Sequence, residues 1–238
     1  MMYVDACEML NYPDIPLGPY FKNIITANDT VMDIGCGTGV VSLYLASLCQ
    51  TVTAVDPDEE AIAYMKQTTA ERGMTNLDIV HSKWPDPSLA PCDVTVIAYV
   101  FHALNDLEKI KELLRITKRT GIILEPITKM GFYEPLYRHL GIEMKKPDNN
   151  SNSSKTIEML QSLGGSVKVE EIAHDFGQPV ASLDEAAAFL WGKLHIGEEY
   201  YEKVREVVED YTEIRQGRLY VPNHRVNRLI TFQAGARH

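Results

Sequence analysis

The chain has 238 residues, 45% of them hydrophobic, which is ample for the core of one large α/β domain with an elaboration. Its formal charge is −10 and its Lys and Arg residues form no run, so there is no electrostatic footprint for nucleic acid, and a small-molecule substrate is favoured. Cys7, Cys36, Cys49 and Cys92 form no C-x-x-C pair, no basic stretch followed by an apolar one opens the chain, and no apolar run approaches the roughly 20 residues of a membrane span. A cytoplasmic protein with no metal site and no membrane contact is therefore expected.

Residues 1–30 carry Tyr3, Tyr12, Tyr20 and Phe21 among Pro13, Pro16 and Pro19, the composition of an irregular lead-in with one short helix at 20–26. A short apolar strand then runs from Val31 into Asp33, Gly35, Cys36, Gly37, Thr38 and Gly39. Gly35 and Gly37 can take positive φ and let a ligand approach the backbone, and an apolar helix at 40–48 points its free N–H groups into the same turn. The last glycine of a dinucleotide G-x-G-x-x-G fingerprint would fall at position 40, which is Val40, and this argues against a nicotinamide-dependent reductase. A second strand at 52–55 ends in Asp56, whose carboxylate, beside the first turn, can accept two hydrogen bonds from ribose hydroxyls. Asp56 could instead cap the next helix, but Asp58 after Pro57 fills that place better.

The D-x-G-x-G-x-G loop with an acid at the tip of the second strand resembles the class I S-adenosylmethionine (SAM) dependent methyltransferases. Asp33, Gly35, Gly37 and Gly39 match that family's loop, and Asp56 matches its ribose acid. The resemblance implies a Rossmann-like, seven-stranded, mainly parallel sheet with helices on both faces. It also implies SAM as methyl donor with S-adenosylhomocysteine (SAH) as product, and makes residues 1–30 a candidate lid.

A helix at 58–72 stops at Gly73, and a third strand follows at 77–80. Its exit, His81-Ser82-Lys83-Trp84, lies where the resembling family places an acid near the adenine amino group. Lys83 stands at or next to that position, so base recognition falls to Ser82 and the backbone, or to pocket shape with Trp84 close to the ring; Trp84 as core filling is the alternative. The fourth strand, 93–98, opens at Tyr99-Val100-Phe101-His102, beyond a carboxyl end, where reacting groups belong. The (Asp/Asn/Ser)-Pro-Pro-(Tyr/Phe) motif of methyltransferases that act on base amino groups is absent. His102 is the candidate general base, with a structural or pocket-lining role as its alternative; Tyr99 is the second catalytic candidate, lining the pocket between methyl and acceptor.

Asn105, with Glu108 returning the bond, opens a helix at 106–117, and a fifth strand at 121–124 ends at Glu125-Pro126. Beyond Pro126 the resemblance weakens. The pattern gives a short helix at 131–139, a polar loop at 144–154, a helix at 155–163 stopped by Gly164-Gly165, and a sixth strand at 166–173. A capping box at Ser182 to Glu185 opens a helix through Leu194, a longer charged helix covers 198–216 up to Gly217, and the last strand is 228–232. The expected organisation is a lead-in or lid at 1–30 and a SAM-binding domain at 31–238. Residues 178–218 form a helical insertion within it, serving as a substrate cap or a homodimer interface. The expected function is methyl transfer to a small molecule at an O, N or C atom. An RNA or protein methyltransferase, or a SAM-binding protein without turnover, is the alternative.

Overall fold

The computed structural model describes residues 2–127, 131–143 and 152–234, and divides into two compact units. The larger comprises Pro13–Glu125, Asn150–Ile172 and Asn227–His238. Its strands are β1 (Thr30–Ile34), β2 (Thr51–Asp56), β3 (Leu77–His81), β4 (Cys92–Ala98), β5 (Thr117–Pro126), β6 (Ser166–Asp175) and β10 (His224–Gln233). They form a seven-stranded sheet in the order β3-β2-β1-β4-β5-β10-β6. The pairs β1–β2, β1–β4, β2–β3 and β4–β5 are parallel. Strand order reverses at β1, which makes the carboxyl ends of β1 and β4 a topological switch point. The central strands are buried along nearly their whole length, as parallel strands covered on both faces must be.

The helices of this unit are α2 (Asp14–Ile24), α3 (Val40–Leu45), α4 (Glu59–Glu71), α5 (Leu107–Ile116) and α7 (Asn152–Ser162). α5 shows why they pack: Ile110, Leu113 and Ile116 recur every third residue and are wholly buried against Ile97, Ile123, Ile230 and Phe232. Each such side chain contributes about 1.5–3 kcal/mol by leaving water. Its cap is Asp106, whose carboxylate accepts from Lys109 N at 2.9 Å; Asn105, expected in that role, instead accepts from Lys109 Nζ at 2.6 Å. Asp58 caps α4 as expected, accepting from Glu60 N and Ala61 N.

The N-terminal segment corrects the sequence reading. In place of an irregular lead-in with a helix at 20–26, it forms α1 (Met2–Met9) and α2. The prolines do not prevent α2: Pro13 is its N-cap, Pro16 falls in the first turn where an N–H has no intrahelical partner, and Pro19 costs a single bond. Leu17 and Phe21, each 1% exposed, hold the helix down.

The second unit comprises Met1–Tyr12, Pro126–Asn149 and Ala173–Val226, so it contains all of 178–218. Its helices are α1, α6 (Tyr133–His139), α8 (Leu183–Leu194) and α9 (Tyr201–Val207). Its core joins Leu136, Leu140, Ala187, Leu190, Val204 and Val221. Ser182 caps α8 as expected, its Oγ accepting from Glu185 N at 3.1 Å, while the Glu185 carboxylate reaches back one residue beyond the cap and accepts from Ala181 N at 2.6 Å. The single helix expected at 198–216 is not formed. Two 3₁₀ turns flank the short α9, and the chain then enters β8 (Glu213–Arg215) and β9 (Arg218–Val221), which form an antiparallel sheet with β7 (Gln178–Val180) in the order β7-β9-β8. Gly217, read from sequence as a helix stop, follows Gln216 in a two-residue hairpin turn; both have positive φ, 75° and 51°, as a type I′ turn requires. Behind the hairpin, Asp175 accepts from Tyr220 OH and Asn223 N, both at 2.7 Å, and pairs with Arg215. The expected polar loop at 144–154 lies largely outside the described residues.

Candidate functional site

β1 delivers Asp33 into the core, 1% exposed, where its carboxylate accepts from Ser42 Oγ of α3 at 2.5 Å. Burial pushes its pKa up to about 6, with the Ser42 bond opposing and the charge of Asp56 adding to the rise. After Ile34 the chain turns through Gly35, Gly37 and Gly39, at φ of 76°, 53° and 85°. Gly35 N and Cys36 N both donate to Val55 O, at 2.7 and 3.1 Å, which ties the turn to β2.

The glycines have different neighbours. A Cβ on Gly35 would lie 2.4 Å from Val100 Cγ2, and one on Gly39, the N-cap of α3, would lie 2.7 Å from Met65 Cγ. A Cβ on Gly37 would meet no atom within 4 Å. Gly37 is thus the point at which the loop faces open space. Cys36, by contrast, packs with Ala54, Ile62 and Met65, and burial raises its thiol far above the ordinary range, so it is no nucleophile. Thr38 is half-buried.

Asp56, at the tip of β2, holds the loop in place. Its Oδ2 accepts from Gly37 N and its Oδ1 from Asp58 N, both at 2.8 Å. A carboxylate oxygen can accept about two hydrogen bonds, so one further position is open on each. Ser82 N donates to Asp56 O at 3.1 Å, which brings the exit of β3 to the same place. There Ser82 Oγ donates to Asp86 at 2.6 Å, Lys83 is exposed, and His81 Nε2 lies 2.9 Å from Pro57 O. Trp84 is a core residue, 8% exposed, with its indole N–H donating to Ala103 O at 3.0 Å.

On the other side of the switch point, Tyr99 follows β4 with φ 64°, a conformation that is rare for a bulky side chain and persists where its surroundings impose it. Tyr99 N donates to Leu124 O at 2.9 Å, and its phenol oxygen accepts from Asn227 Nδ2 at 3.0 Å. Asn227 is fully buried on β10, and Glu125, at the end of β5, is 7% exposed. Sequence reasoning passed over both. No pattern singled them out: β10 carries Asn227 among several other polar residues, and Glu125 reads as the polar end of the fifth strand. His102 lies in the 3₁₀ turn Phe101–Leu104, and its side chain is outside the described residues.

Asp33, the glycine loop, Asp56 and Ser82 are therefore brought together at the carboxyl ends of β1, β2 and β3, with Tyr99 at the end of β4. A groove of about 550 Å³, lined by Tyr20, Asn23, Arg119, Lys168 and Glu170 among others, contains none of them. It lies by the start of β5, the opposite end from where open α/β sheets bind ligands. Among the described residues no cluster of His, Cys, Asp and Glu could hold a metal ion, and no helix is long and apolar enough to cross a membrane.

Residues 31–121 match the family model of a methyltransferase domain. Residues 31–121 are thus a methyltransferase domain of the class I SAM-dependent kind. The cofactor of this methyltransferase domain is SAM. Its fold is shared with the precorrin 8w decarboxylase of Methanobacterium thermoautotrophicum, with a TM-score of 0.56 at 17% identity over 92% of this chain and 89% of that one. A protein of Methanobrevibacter smithii described as a probable cobalt-precorrin-6B C(15)-methyltransferase (decarboxylating) is 30% identical over 95 residues, 40% of this chain and 50% of that one. The ribosomal protein L11 methyltransferase of Thermotoga petrophila is 28% identical over 109 residues, 44% of this chain and 39% of that one. The chain thus spans half the length, or less, of these two relatives.

Proposed function

We propose that the chain catalyses SAM-dependent methyl transfer to a small-molecule acceptor, with SAM held by Asp33, Gly35, Cys36, Gly37, Thr38, Gly39 and Asp56. The observation that carries this is the pairing of Gly37 with Asp56: the residue that faces open space donates to the carboxylate that keeps an accepting position on each oxygen. That arrangement fits a ligand with a vicinal diol and a chain crossing the loop. SAM, when bound, supplies a methyl group already activated by the positive sulfur, so the protein's task is mainly alignment.

In this reading Asp56 binds the ribose hydroxyls, and the loop backbone binds the amino-acid portion. Ser82 and Lys83 lie around the adenine, while Trp84 fills the core beneath, the alternative reading of that residue. Asp33 fixes the loop through Ser42. Tyr99, held by Asn227, borders the acceptor, and His102 takes a proton where the acceptor must lose one. A small molecule is favoured by the charge of −10 and by the precorrin enzymes among the relatives. The ribosomal-protein methyltransferase among them supports protein as the second reading. A cytoplasmic location belongs to the same proposal.

The test is to incubate the protein with methyl-labelled SAM and a cell extract separated into small-molecule, protein and RNA fractions. Label entering the small-molecule fraction supports the reading. Label confined to protein or RNA overturns the acceptor class.

A further inference from the structure

β6 is the outermost strand of the seven-stranded sheet, and among the described residues its one neighbour there is β10. Its stretch from Ser166 to Ile172 belongs to the larger unit. That stretch contains no Pro and no Gly, so nothing in the sequence interrupts the outer row of N–H and C=O groups. Ser166, Lys168, Val169 and Glu171 are exposed on it. A long, open edge strand is a template for pairing with another chain, and proteins ordinarily blunt one with Pro, a bulge or repelling charge.

The charges on this edge do not repel a second copy of the same strand. When two identical strands pair antiparallel about a two-fold axis perpendicular to the sheet, like faces meet, so the axis passes through one residue that faces its own copy. With Val169 on the axis, Lys168 faces Glu170 of the second copy, Glu170 faces its Lys168, and Val167 faces its Glu171. No like charges then stand opposite each other. Moving the axis by one residue sets Lys168 against Lys168, or Glu170 against Glu170, so the charge pattern selects one register among its neighbours. Val169 itself is 43% exposed, although Val167 on the same face packs against the core cluster that includes Leu160, Ile230 and Phe232. On the axis, Val169 is covered by its own copy. Within one chain Lys168 Nζ lies 2.8 Å from Glu170 Oε2, but the two side chains are 70% and 38% exposed, and an exposed pair of this kind contributes little that a cross-strand pair does not replace.

We propose that the β6 edge from Ser166 to Ile172 is a self-association surface, on which a second copy of this chain adds its own β6 antiparallel with Val169 at the two-fold axis, joining two seven-stranded sheets into one. This surface goes beyond the methyl-transfer reading and does not depend on it.

Sedimentation velocity over a micromolar to millimolar concentration series reads the association. The wild-type chain is expected to pass from monomer to dimer. Lys168→Glu and Glu170→Lys each turn both cross-strand pairs into like charges, and each should weaken the dimer roughly tenfold or more. The double variant Lys168→Glu/Glu170→Lys restores the pairs with their signs exchanged and should recover the wild-type affinity. Hydrogen exchange of the wild type at the two ends of the series locates the interface without any variant, the amides of 166–172 slowing as the dimer forms. A chain that stays monomeric throughout the series overturns the surface. So does a dimer in which exchange slows elsewhere, as at 178–218, and not at 166–172. Single variants that associate as tightly as wild type, or a double variant as weak as either single one, overturn the register.

Discussion

Replacing Gly37 by alanine separates the needs of the fold from those of the ligand. The φ of 53° strains any L side chain, a cost of about 1–2 kcal/mol. No atom lies within 4 Å of the added Cβ, so there is no clash to add to it. The same methyl group does, however, project into the space the cofactor is proposed to cross. Loss of one or two backbone hydrogen bonds to the ligand, at about 1.5 kcal/mol each, weakens binding roughly 10- to 100-fold. Gly35→Ala is the control, because its Cβ would lie 2.4 Å from Val100 Cγ2 and its main effect is on stability. Calorimetric titration with SAH and thermal melts of the ligand-free proteins check both variants. Wild-type SAH affinity in a folded Gly37→Ala protein would refute the placement of the cofactor against this loop.

Asp56→Ala removes the acceptor for Gly37 N and Asp58 N together with the proposed ribose contact, so SAH affinity should fall by about 1.5–3 kcal/mol. Asp58→Ala, which removes only a helix cap, should cost about 1 kcal/mol of stability and leave SAH affinity unchanged in titrations. Asp33 carries a pH dependence. Its folded pKa of about 6 exceeds the ordinary 3.8, so the folded state holds the extra proton and stability falls as pH rises from about 4 to 6. At about 1.4 kcal/mol per unit the loss is about 3 kcal/mol. Denaturant unfolding at pH 4 and pH 7 should therefore show wild type losing stability relative to Asp33→Asn across that window; equal losses would show that Asp33 is not the group responsible.

The parts legible in the sequence are those where local chemistry leaves few choices. Three glycines at alternate positions, all now seen at positive φ, and an acid at a strand tip could be read from residue type alone. The alternation of strands and helices was legible too, but the seven-stranded parallel sheet was implied by the family resemblance and its strand order comes from the structure. The small three-stranded sheet was not legible, because β8 has only three residues, and the run Glu202 to Asp210 before it has the composition of a helix. Gly217 is compatible with a helix stop and with a hairpin turn, and only the pairing of β8 with β9 chooses between them. Asn105 and Asp106 are adjacent capping residues, and the difference of one position is below what composition resolves. Asn227 was missed because its role is a contact with Tyr99, 128 positions away in the chain.

Cofactor preference is the most direct test of the central claim. At a hundredfold excess over Kd, a ligand of the folded state stabilises it by about 2.7 kcal/mol. That moves the melting temperature of a chain of this size by roughly 5–10 °C. SAM and SAH should each produce such a shift, with one site per chain by calorimetry, while NAD and NADP produce none. A shift with NAD or NADP, and none with SAM or SAH, would contradict the assignment of the glycine loop and Asp56 to SAM.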